Sequence, residues 1–274
     1  MRKEEIEDIE VGLFLDAVYR RYGHDFRHYS RASIKRRIKN LAAGTNHGSI
    51  SEMIGRLLYD ESFFSMIVHG LSITVSEMFR DPEFYKTLRK LVIPYLKTYP
   101  FVKIWHAGCA SGEEAYSLAI VLKEEGFYDR STIFATDFND VALSNAGDGI
   151  YPVDKMRDYT ANYQQSGGTA SFAQYYHAGY EAAILEPSLK KNITFANHNL
   201  VTDGVFSEMH LIVCRNVLIY FDRTLQNRVL RLFSDSLIHG GILALGSKES
   251  LQFSEMALHF KPLSERWKIF QKTG

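Results

Sequence analysis

Residues 101–122 form a strand, a turn of small residues and the start of a helix, and no other stretch limits the fold as strongly. The run Phe101–Trp105 is apolar and rich in residues that favour β-structure. Residues 108–112 have side chains too small to keep a ligand from the backbone. Apolar residues then recur at helical spacing over 115–122. Such a unit points free N–H groups beyond the carboxyl end of its strand, where open α/β sheets bind ligands.

The residues around this turn restrict its ligand. The turn has neither the Gly-Lys-Ser/Thr of a P-loop nor the G-x-G-x-x-G of a pyrophosphate binder. Glu113 and Glu114 lie in the first helical turn, where they suit the helix dipole but would repel a phosphate. A ligand with a cationic end fits better, and S-adenosylmethionine (SAM) carries an ammonium and a sulfonium. The alternative is the acidic helix start of an ordinary α/β protein, because such starts are common.

Composition excludes several classes of function. The chain has 274 residues, 46% of them hydrophobic, and its 32 basic residues balance 32 acidic ones. Such a chain is globular, with one large or two modest domains, and shows no general affinity for nucleic acid. Two cysteines, Cys109 and Cys214, are too few for a disulfide framework, so we expect a reducing, cytoplasmic location. The charged start and the absence of a long apolar run predict neither a signal peptide nor a membrane segment.

The periodicity divides the chain in two. Residues 1 to about 72 show only helical patterns, separated by glycines, which predicts a small helical domain. From residue 101 strands and helices alternate, which predicts an α/β domain with a mostly parallel sheet in the part of the chain from residue 73. Residues 150–192 interrupt this alternation with Pro, Gly and Tyr, and we expect a small, partly β insertion there. The predicted elements are helix 82–95, strand 101–106, helix 112–125, strand 131–137, helix 140–146, strand 193–197, strand 209–214, helix 222–239 and strand 242–246.

Polar residues at the ends of the predicted strands are candidates for ligand contacts. Asp137 closes the second strand, where a carboxylate can accept hydrogen bonds from a ribose diol. The alternative for Asp137 is an N-cap of the next helix. The pairs Asn199-Leu200 and Arg215-Asn216 follow two later strands. Tyr220 lies shortly after the second pair and is also a candidate for the ligand crevice. The alternative role for Tyr220 is a core aromatic residue with a hydrogen-bonded hydroxyl.

Two further segments carry polar residues that the fold does not require. Thr74, Ser76 and Arg80 precede the helix at 82–95 and could close over a ligand, although helix capping with a surface Arg also explains them. A cationic run lies in the second predicted helix. It is either a solvated face or a docking surface for an acidic partner segment. Its members are Arg31, Lys35, Arg36, Arg37 and Lys39.

Five blocks in order resemble the CheR-type chemotaxis receptor methyltransferases, a family of SAM-dependent protein-glutamate O-methyltransferases, and the resemblance covers nearly the whole chain. The blocks are Ser76–Asp81, Gly108–Ser117, Thr136-Asp137, Asn199-Leu200 and Cys214–Phe221. The resemblance implies an α/β fold class. It has an N-terminal all-helical docking domain at 1–72, followed at 73–274 by a Rossmann-like methyltransferase domain with a small inserted β subdomain at about 150–192.

The resemblance also implies a cofactor and roles for the candidate residues. SAM is the methyl donor, S-adenosylhomocysteine is the product, and no metal takes part. The methionine end of SAM is held by Glu113 and the turn from Gly108, the ribose by Asp137, and the adenine by Asn199 and Leu200. The remaining pocket residues are Thr74, Ser76, Arg80, Arg215 and Asn216. Arg80, Arg215 and Tyr220 are the catalytic candidates nearest the methyl group.

The implied acceptor is a glutamate of a methyl-accepting chemoreceptor or another signalling protein. A glutamate carboxylate has a pKa near about 4.3 and is anionic at neutral pH, so its attack on the methyl needs no general base. The family usually has Asn and Thr where this chain has Thr74 and Ser76. The insertion shows no peptide-docking edge, so we expect a monomer that needs no receptor peptide. The alternatives are a small-molecule SAM methyltransferase and a non-catalytic SAM sensor or scaffold.

Overall fold

The computed structural model describes residues 2–72, 76–205, 207–252 and 254–274. The chain divides into two compact units, one formed by residues 1–73 and 218–229 and the other by residues 74–217 and 230–274. The N-terminal unit therefore also takes in a short segment that follows the strand at 209–214. The described helices include none with both the length and the apolar character that a bilayer crossing requires.

The N-terminal unit contains four helices before residue 72. Their starts and ends follow from local chemistry, since the Ser49 hydroxyl accepts the Glu52 N–H at 3.3 Å and Gly23 adopts the left-handed conformation that ends the first helix. One apolar face of each helix is buried, which gives the unit its own core. The helices are α1 (Lys3–Tyr22), α2 (Arg31–Gly44), α3 (Ile50–Tyr59) and α4 (Glu61–Leu71).

The C-terminal unit contains a seven-stranded sheet. Its strands are β1 (Val102–Ala107), β2 (Ser131–Asp137), β6 (Ile193–Asn197), β7 (Met209–Cys214), β8 (Leu237–Leu245), β9 (Phe260–Ser264) and β10 (Ile269–Lys272). Their order is β6-β2-β1-β7-β8-β10-β9. The first five run parallel, whereas β10 is antiparallel to β8 and β9 to β10. The chain order reverses between β1 and β7, and such a switch point opens a crevice at the carboxyl ends of the strands.

Helices in this unit separate the strands along the chain, as the alternation predicts. They are α5 (Pro82–Thr87), α6 (Ile93–Leu96), α7 (Glu113–Glu124), α8 (Asp140–Asp148) and α9 (Met156–Gln165), with a π-helical turn at Leu88–Val92. The last helix, α10 (Arg223–Ser236), belongs to the N-terminal unit up to Val229 and to this unit from Leu230. Residues 113–122 of α7 are all buried, so this helix is covered on every side. Trp105 in β1 is fully buried and donates from Nε1 to the Thr136 hydroxyl at 2.8 Å, which ties the two central strands together.

A second, smaller sheet lies within the inserted segment. It is antiparallel in the order β3-β5-β4, with β3 at Ile150–Pro152, β4 at Tyr176–Ala178 and β5 at Ala182–Leu185. The buried carboxylate of Glu124 holds this segment to the end of α7, since it accepts bonds from Tyr163, Tyr175 and Arg89. The predicted fold class is confirmed, including the inserted β subdomain.

One predicted boundary is wrong. Helix 222–239 and strand 242–246 were expected, but α10 ends at Ser236 and β8 begins at Leu237. The glycine pair at 240–241 suggests a break between helix and strand, yet it lies inside β8. Leu237 pairs with Met209, and the register shifts before Leu211. The pair therefore marks an irregularity within a strand, where Gly240 adopts φ 77°.

Candidate active site

The turn after β1 has an unusual backbone conformation. Gly108, Ala110 and Gly112 adopt φ values of 75°, 48° and 90°. The Gly108 N–H donates to the Thr136 carbonyl at 2.8 Å, which anchors the turn to β2. A Cβ on Gly108 would lie 2.5 Å from a methyl carbon of Val217, so a larger residue would displace one of the two segments. The turn is thus fixed in shape, and its small side chains leave the backbone accessible to a ligand.

Asp137 at the end of β2 holds the same turn. Its Oδ2 accepts the Ala110 N–H and its Oδ1 the Asn139 N–H, both at 3.0 Å. Burial raises the pKa of Asp137 against the effect of the backbone N–H groups of Asn139, Ala110 and Phe138. A carboxylate has about four lone-pair sites, so Asp137 can accept a ligand hydroxyl in addition to these groups. The N-cap of α8 is Asn139 and not Asp137, which removes the alternative explanation for this aspartate.

Glu113, the first residue of α7, is 5% exposed. Its Oε2 accepts the Ser111 hydroxyl at 2.7 Å, and its Oε1 lies 3.4 Å from the Tyr159 hydroxyl. Burial raises the pKa of Glu113, although the hydroxyls of Ser111, Tyr159 and Ser76 lower it in part. The partners found for this carboxylate are neutral hydroxyls. A ligand cation would therefore supply the charge that the protein does not.

Glu114, the next residue, has the opposite electrostatic environment. The Arg215 guanidinium donates to its Oε1, and Nε2 of His106 lies 3.1 Å from its Oε2. Burial alone would raise the pKa of Glu114, but the charge of Arg215 lowers it to about 2. Glu114 and Arg215 therefore form a buried ion pair at neutral pH.

The same guanidinium anchors the loop before α5. Its Nη2 donates to Oδ2 of Asp81 at 2.6 Å and its Nη1 to the Arg80 carbonyl at 3.2 Å. The side chain of Arg215 is 1% exposed, and its Cζ lies 4.1 Å from the centre of the Phe84 ring. Arg215, a catalytic candidate, thus has its charge satisfied by the protein.

Arg80 differs from Arg215 in this respect. Its side chain is partly exposed and has no hydrogen bond or ion pair with another described residue. The loop on which it lies is fixed, because the Phe79 N–H donates to the Ser117 hydroxyl at 2.9 Å and Asn162 donates to the Met78 carbonyl at 3.1 Å. Ser76 of this loop is partly buried. Thr74 lies outside the described residues.

The two later strand ends contribute in different ways. Oδ1 of Asn199 accepts the Val201 N–H at 3.0 Å and so closes a turn, while Leu200 is 7% exposed. Asn216 adopts φ 61°, and its N–H donates to Oε2 of Glu249 at 3.1 Å. The side-chain oxygen of Asn199 is therefore occupied by its own turn, and Asn216 is held by a residue that the sequence did not single out.

Tyr220 belongs to the N-terminal unit, whereas Arg80 and Arg215 belong to the C-terminal one. In its own unit the Tyr220 carbonyl accepts the Ser30 N–H at 2.7 Å. The structure thus gathers the cofactor candidates other than Thr74 on the carboxyl ends of the parallel strands and the segments next to them in the C-terminal unit. It gives no geometry between Tyr220 and these residues.

The cations of α2 are mostly satisfied within the N-terminal unit. Lys35 lies 2.8 Å from an Asp8 carboxylate oxygen, and Lys39 lies 3.1 Å from Glu7. Arg31 donates to the Asp8 carbonyl at 2.6 Å, whereas Arg37 donates to the Ser72 carbonyl at 3.0 Å. Arg36 is exposed and has no described hydrogen bond or ion pair. The acidic start of α1 thus neutralises much of the basic face of α2.

Three residues of this site escaped the sequence analysis. Tyr159 contacts Glu113 from the inserted segment, and no local pattern connects the two. His106 lies inside a buried strand, where a histidine gives no signal. Glu249 could have been found, because it lies shortly beyond the carboxyl end of β8, at the edge of the sheet where Asp137 ends β2.

Comparison with known families identifies the chain. Residues 9–72 match the family described as "CheR methyltransferase, all-alpha domain", and residues 74–269 match "CheR methyltransferase, SAM binding domain". The chain belongs to the CheR methyltransferase family. A CheR methyltransferase is a SAM-dependent enzyme, so SAM is the cofactor of this chain.

Full-length relatives support the assignment. The Cher3 protein of Pseudomonas putida is 48% identical over 273 residues, which cover 100% of both chains. A chemotaxis protein methyltransferase of Listeria innocua is 32% identical over 250 residues, covering 90% of this chain and 92% of the relative. Chemotaxis protein methyltransferase 2 of Pseudomonas aeruginosa is 29% identical over 229 residues, which cover 81% of this chain and 77% of the relative.

The side chains of this CheR methyltransferase fit SAM chemically. Glu113 is a carboxylate with hydroxyl partners that can take the ammonium group, and Asp137 is a carboxylate that can accept a ribose hydroxyl. Bound SAM supplies an electrophilic methyl group. Among the residues that the structure describes, His, Cys, Asp and Glu form no group of three or more that could hold a metal ion.

The Glu114–Arg215 pair gives a stability prediction. Glu114→Gln should lower the free energy of unfolding by about 3–5 kcal/mol, because it leaves a buried guanidinium without its counter-charge. Replacing both partners, by Glu114→Leu with Arg215→Met, should cost less than the single change. Since the folded pKa of Glu114 is lowered from 4.5 to about 2, its contribution is present above pH 4.5 and is lost as the pH falls towards 2.

Urea unfolding between pH 2 and pH 7 measures this. The free energy of unfolding of the wild type should fall as the pH falls. The part of this decrease that comes from protonation of Glu114 should be absent in Glu114→Gln. A loss below about 1 kcal/mol at pH 7 would show that the pair does not stabilise the fold.

Proposed function

We propose that this enzyme transfers the methyl group of SAM to glutamate side-chain carboxylates of a chemoreceptor or a related signalling protein. The products are a glutamate methyl ester and S-adenosylhomocysteine. The observation that carries the choice of an acidic acceptor is Arg80, a partly exposed cation without a described partner on a loop that is otherwise fully anchored. Such a guanidinium attracts and orients a carboxylate. The names of the Listeria and P. aeruginosa relatives agree with this acceptor.

We assign the cofactor contacts by chemistry. Glu113, with the turn from Gly108, takes the ammonium end of SAM, because its raised pKa reflects a burial that a cation would compensate. Asp137 takes the ribose hydroxyls. Leu200 provides an apolar contact for the adenine, beside Asn199. Asn216, Ser76 and Thr74 complete the pocket, and Arg80 lies between cofactor and acceptor.

The protein contributes positioning and partial removal of water to the reaction. The acceptor carboxylate is already anionic at neutral pH, so no residue has to remove a proton. Arg80 orients the carboxylate in line with the methyl group. Arg215, whose guanidinium is occupied by Glu114 and Asp81, acts by holding the Arg80 loop and not by contact with the acceptor.

The N-terminal unit provides part of the docking surface. We propose that the basic face of α2 guides an acidic receptor helix, with Arg36 as the cation available without breaking an internal pair. The surface pairs of Lys35 and Lys39 contribute little to stability, so these lysines can exchange partners at low cost. We also propose a monomer that acts in the cytoplasm, because Cys109 and Cys214 are both free, buried thiols.

The acceptor is tested with SAM labelled in its methyl group and the cytoplasmic part of a chemoreceptor from the same genome. We expect label in the receptor as a base-labile ester on glutamate. Arg80→Ala should lower kcat/KM by about 100-fold while the Kd for SAM changes less than about threefold, because Arg80 acts on the acceptor.

Arg130→Ala is the matched control, since Arg130 precedes the opposite end of β2. It should behave as the wild type. Base-stable label on nitrogen, or full activity of Arg80→Ala, would contradict the proposal.

The role of Glu113 predicts a pH dependence of cofactor binding. Only the ionised carboxylate attracts the ammonium group, so the affinity for SAM should fall as the pH falls through the raised pKa of Glu113. Glu113→Gln should bind SAM about tenfold more weakly at pH 7.5 and should lack this dependence. Without SAM it should be more stable than the wild type at pH 8, because folding no longer buries a charge.

Calorimetric titration at several pH values and thermal unfolding measure these effects. Glu181→Gln removes an exposed carboxylate of the inserted segment and serves as the control. An unchanged pH profile in Glu113→Gln would show that another group binds the ammonium.

If the receptor docks on α2, a substitution in this helix should weaken binding of the receptor and leave binding of SAM unchanged. Arg36→Ala should raise the KM for the receptor roughly three- to tenfold without changing the Kd for SAM, and the difference should shrink at high salt. Steady-state kinetics at two ionic strengths measures it, with the exposed Lys3→Ala as control. Equal KM values for wild type and variant at low salt would exclude this docking surface.

A further inference from the structure

Glu249 is a buried carboxylate that accepts hydrogen bonds from three backbone N–H groups. It is 4% exposed. Its Oε2 accepts the N–H groups of Gly246 at 2.6 Å and Asn216 at 3.1 Å, and its Oε1 accepts that of Val217 at 2.8 Å. Gly246 directly follows β8, whereas Asn216 and Val217 follow β7. One side chain therefore joins the carboxyl ends of two adjacent parallel strands.

The two residues that Glu249 holds on the β7 side lie at the proposed cofactor site. Asn216 adopts φ 61°, a conformation that an L-residue adopts at an energetic cost, so its backbone needs an anchor. The Val217 side chain packs so closely on Gly108 that a Cβ there would lie 2.5 Å from its methyl carbon. A shift of residues 216–217 would therefore be transmitted directly to the turn that follows β1.

At the β8 end, the Glu249 carboxylate packs directly against the backbone of Gly246. A Cβ on Gly246 would lie 2.8 Å from the Glu249 carboxylate and 2.9 Å from the Asn216 nitrogen. The carboxylate thus fits between two backbone segments, and only a group with two acceptor oxygens satisfies all three N–H groups there. A glutamine of the same size would turn its NH2 group towards at least one donor.

We infer that Glu249 is a positioning residue that fixes the backbone after β7 against the Gly108 turn and so pre-forms the SAM site. It does not contact the reacting atoms. The inference rests on the proposed SAM contacts of Gly108 and Asn216 but not on the identity of the methyl acceptor. It assigns a role in cofactor affinity to a residue that lies beyond all five blocks of family resemblance.

The test compares Glu249→Gln with Glu124→Gln in the full-length protein. Glu124 is also buried and hydrogen-bonded in the C-terminal unit, but it holds the inserted segment and not the cofactor turn. Both variants should lose thermal stability. Glu249→Gln should also raise the Kd and KM for SAM by about tenfold, while kcat at saturating SAM stays within about threefold, because one charge-assisted hydrogen bond to the site backbone is lost. Glu124→Gln should leave the Kd for SAM within about twofold.

A Kd for SAM in Glu249→Gln within twofold of the wild type, or an equal increase in Glu124→Gln, would overturn the inference. The Kd is measured with SAM alone, so it tests the role of Glu249 even if the receptor is not methylated. Absence of receptor methylation by the wild type would refute the proposed acceptor and not this inference.

Amide hydrogen exchange of the wild-type protein covers the case in which Glu249→Gln does not fold. The amides of Asn216, Val217 and Gly246 should be protected without SAM to the level of Leu243–Leu245 in β8. Exchange as fast as that of residues 202–205 would show that the site is not pre-formed by Glu249.

Discussion

The buried ion pair between Glu114 and Arg215 connects parts of the chain that are distant in sequence, and the arrangement of the site depends on it. A guanidinium with a 1% exposed side chain cannot remain unpaired, so β7, α7 and the Arg80 loop must meet where its charge is satisfied. The ion pair also gives two adjacent glutamates, Glu113 and Glu114, different pKa values. Arg215 lowers the pKa of Glu114 to about 2, whereas burial raises the pKa of Glu113. One carboxylate is thereby committed to structure and its neighbour is left for a ligand cation.

Backbone strain is concentrated around the same site, and side chains hold it in place. Among the described non-glycine residues, positive φ occurs at Phe79, Asp81, Ala110 and Asn216, and elsewhere only at Asn46 and Lys268. Such conformations cost roughly 1–3 kcal/mol each and persist only where the surroundings impose them. Three of the four have an identified anchor on their N–H group, provided by Ser117, Asp137 and Glu249. The polar residues of the site therefore fix the backbone, and two of them, Asp137 and Glu249, do so at the ends of parallel strands.

Sequence patterns predicted the two domains, most strands of the main sheet and the residues at the strand ends, because periodicity and small-residue turns are local properties. They could not show which polar groups are already satisfied. Arg80 and Arg215 look alike in sequence, yet one guanidinium has no described partner and the other is bound to Glu114 and Asp81. Such differences arise from contacts across more than 100 positions of the chain. For the same reason the glycine pair at 240–241 was read as a boundary, although it lies within β8.

The distinction between charges that are already paired within the protein and charges that are not also matters for recognition of the acceptor. A run of cations on α2 suggests strong attraction for an acidic helix, but Lys35 and Lys39 already pair with Asp8 and Glu7. A surface ion pair contributes little to stability, so exchanging an internal carboxylate for a carboxylate of a partner gains little free energy. Charges of this kind increase the rate of encounter more than the affinity. Selection of the proposed glutamate acceptor must then come mainly from groups whose charge the fold has left unsatisfied, and among the described residues of the C-terminal unit that description fits Arg80.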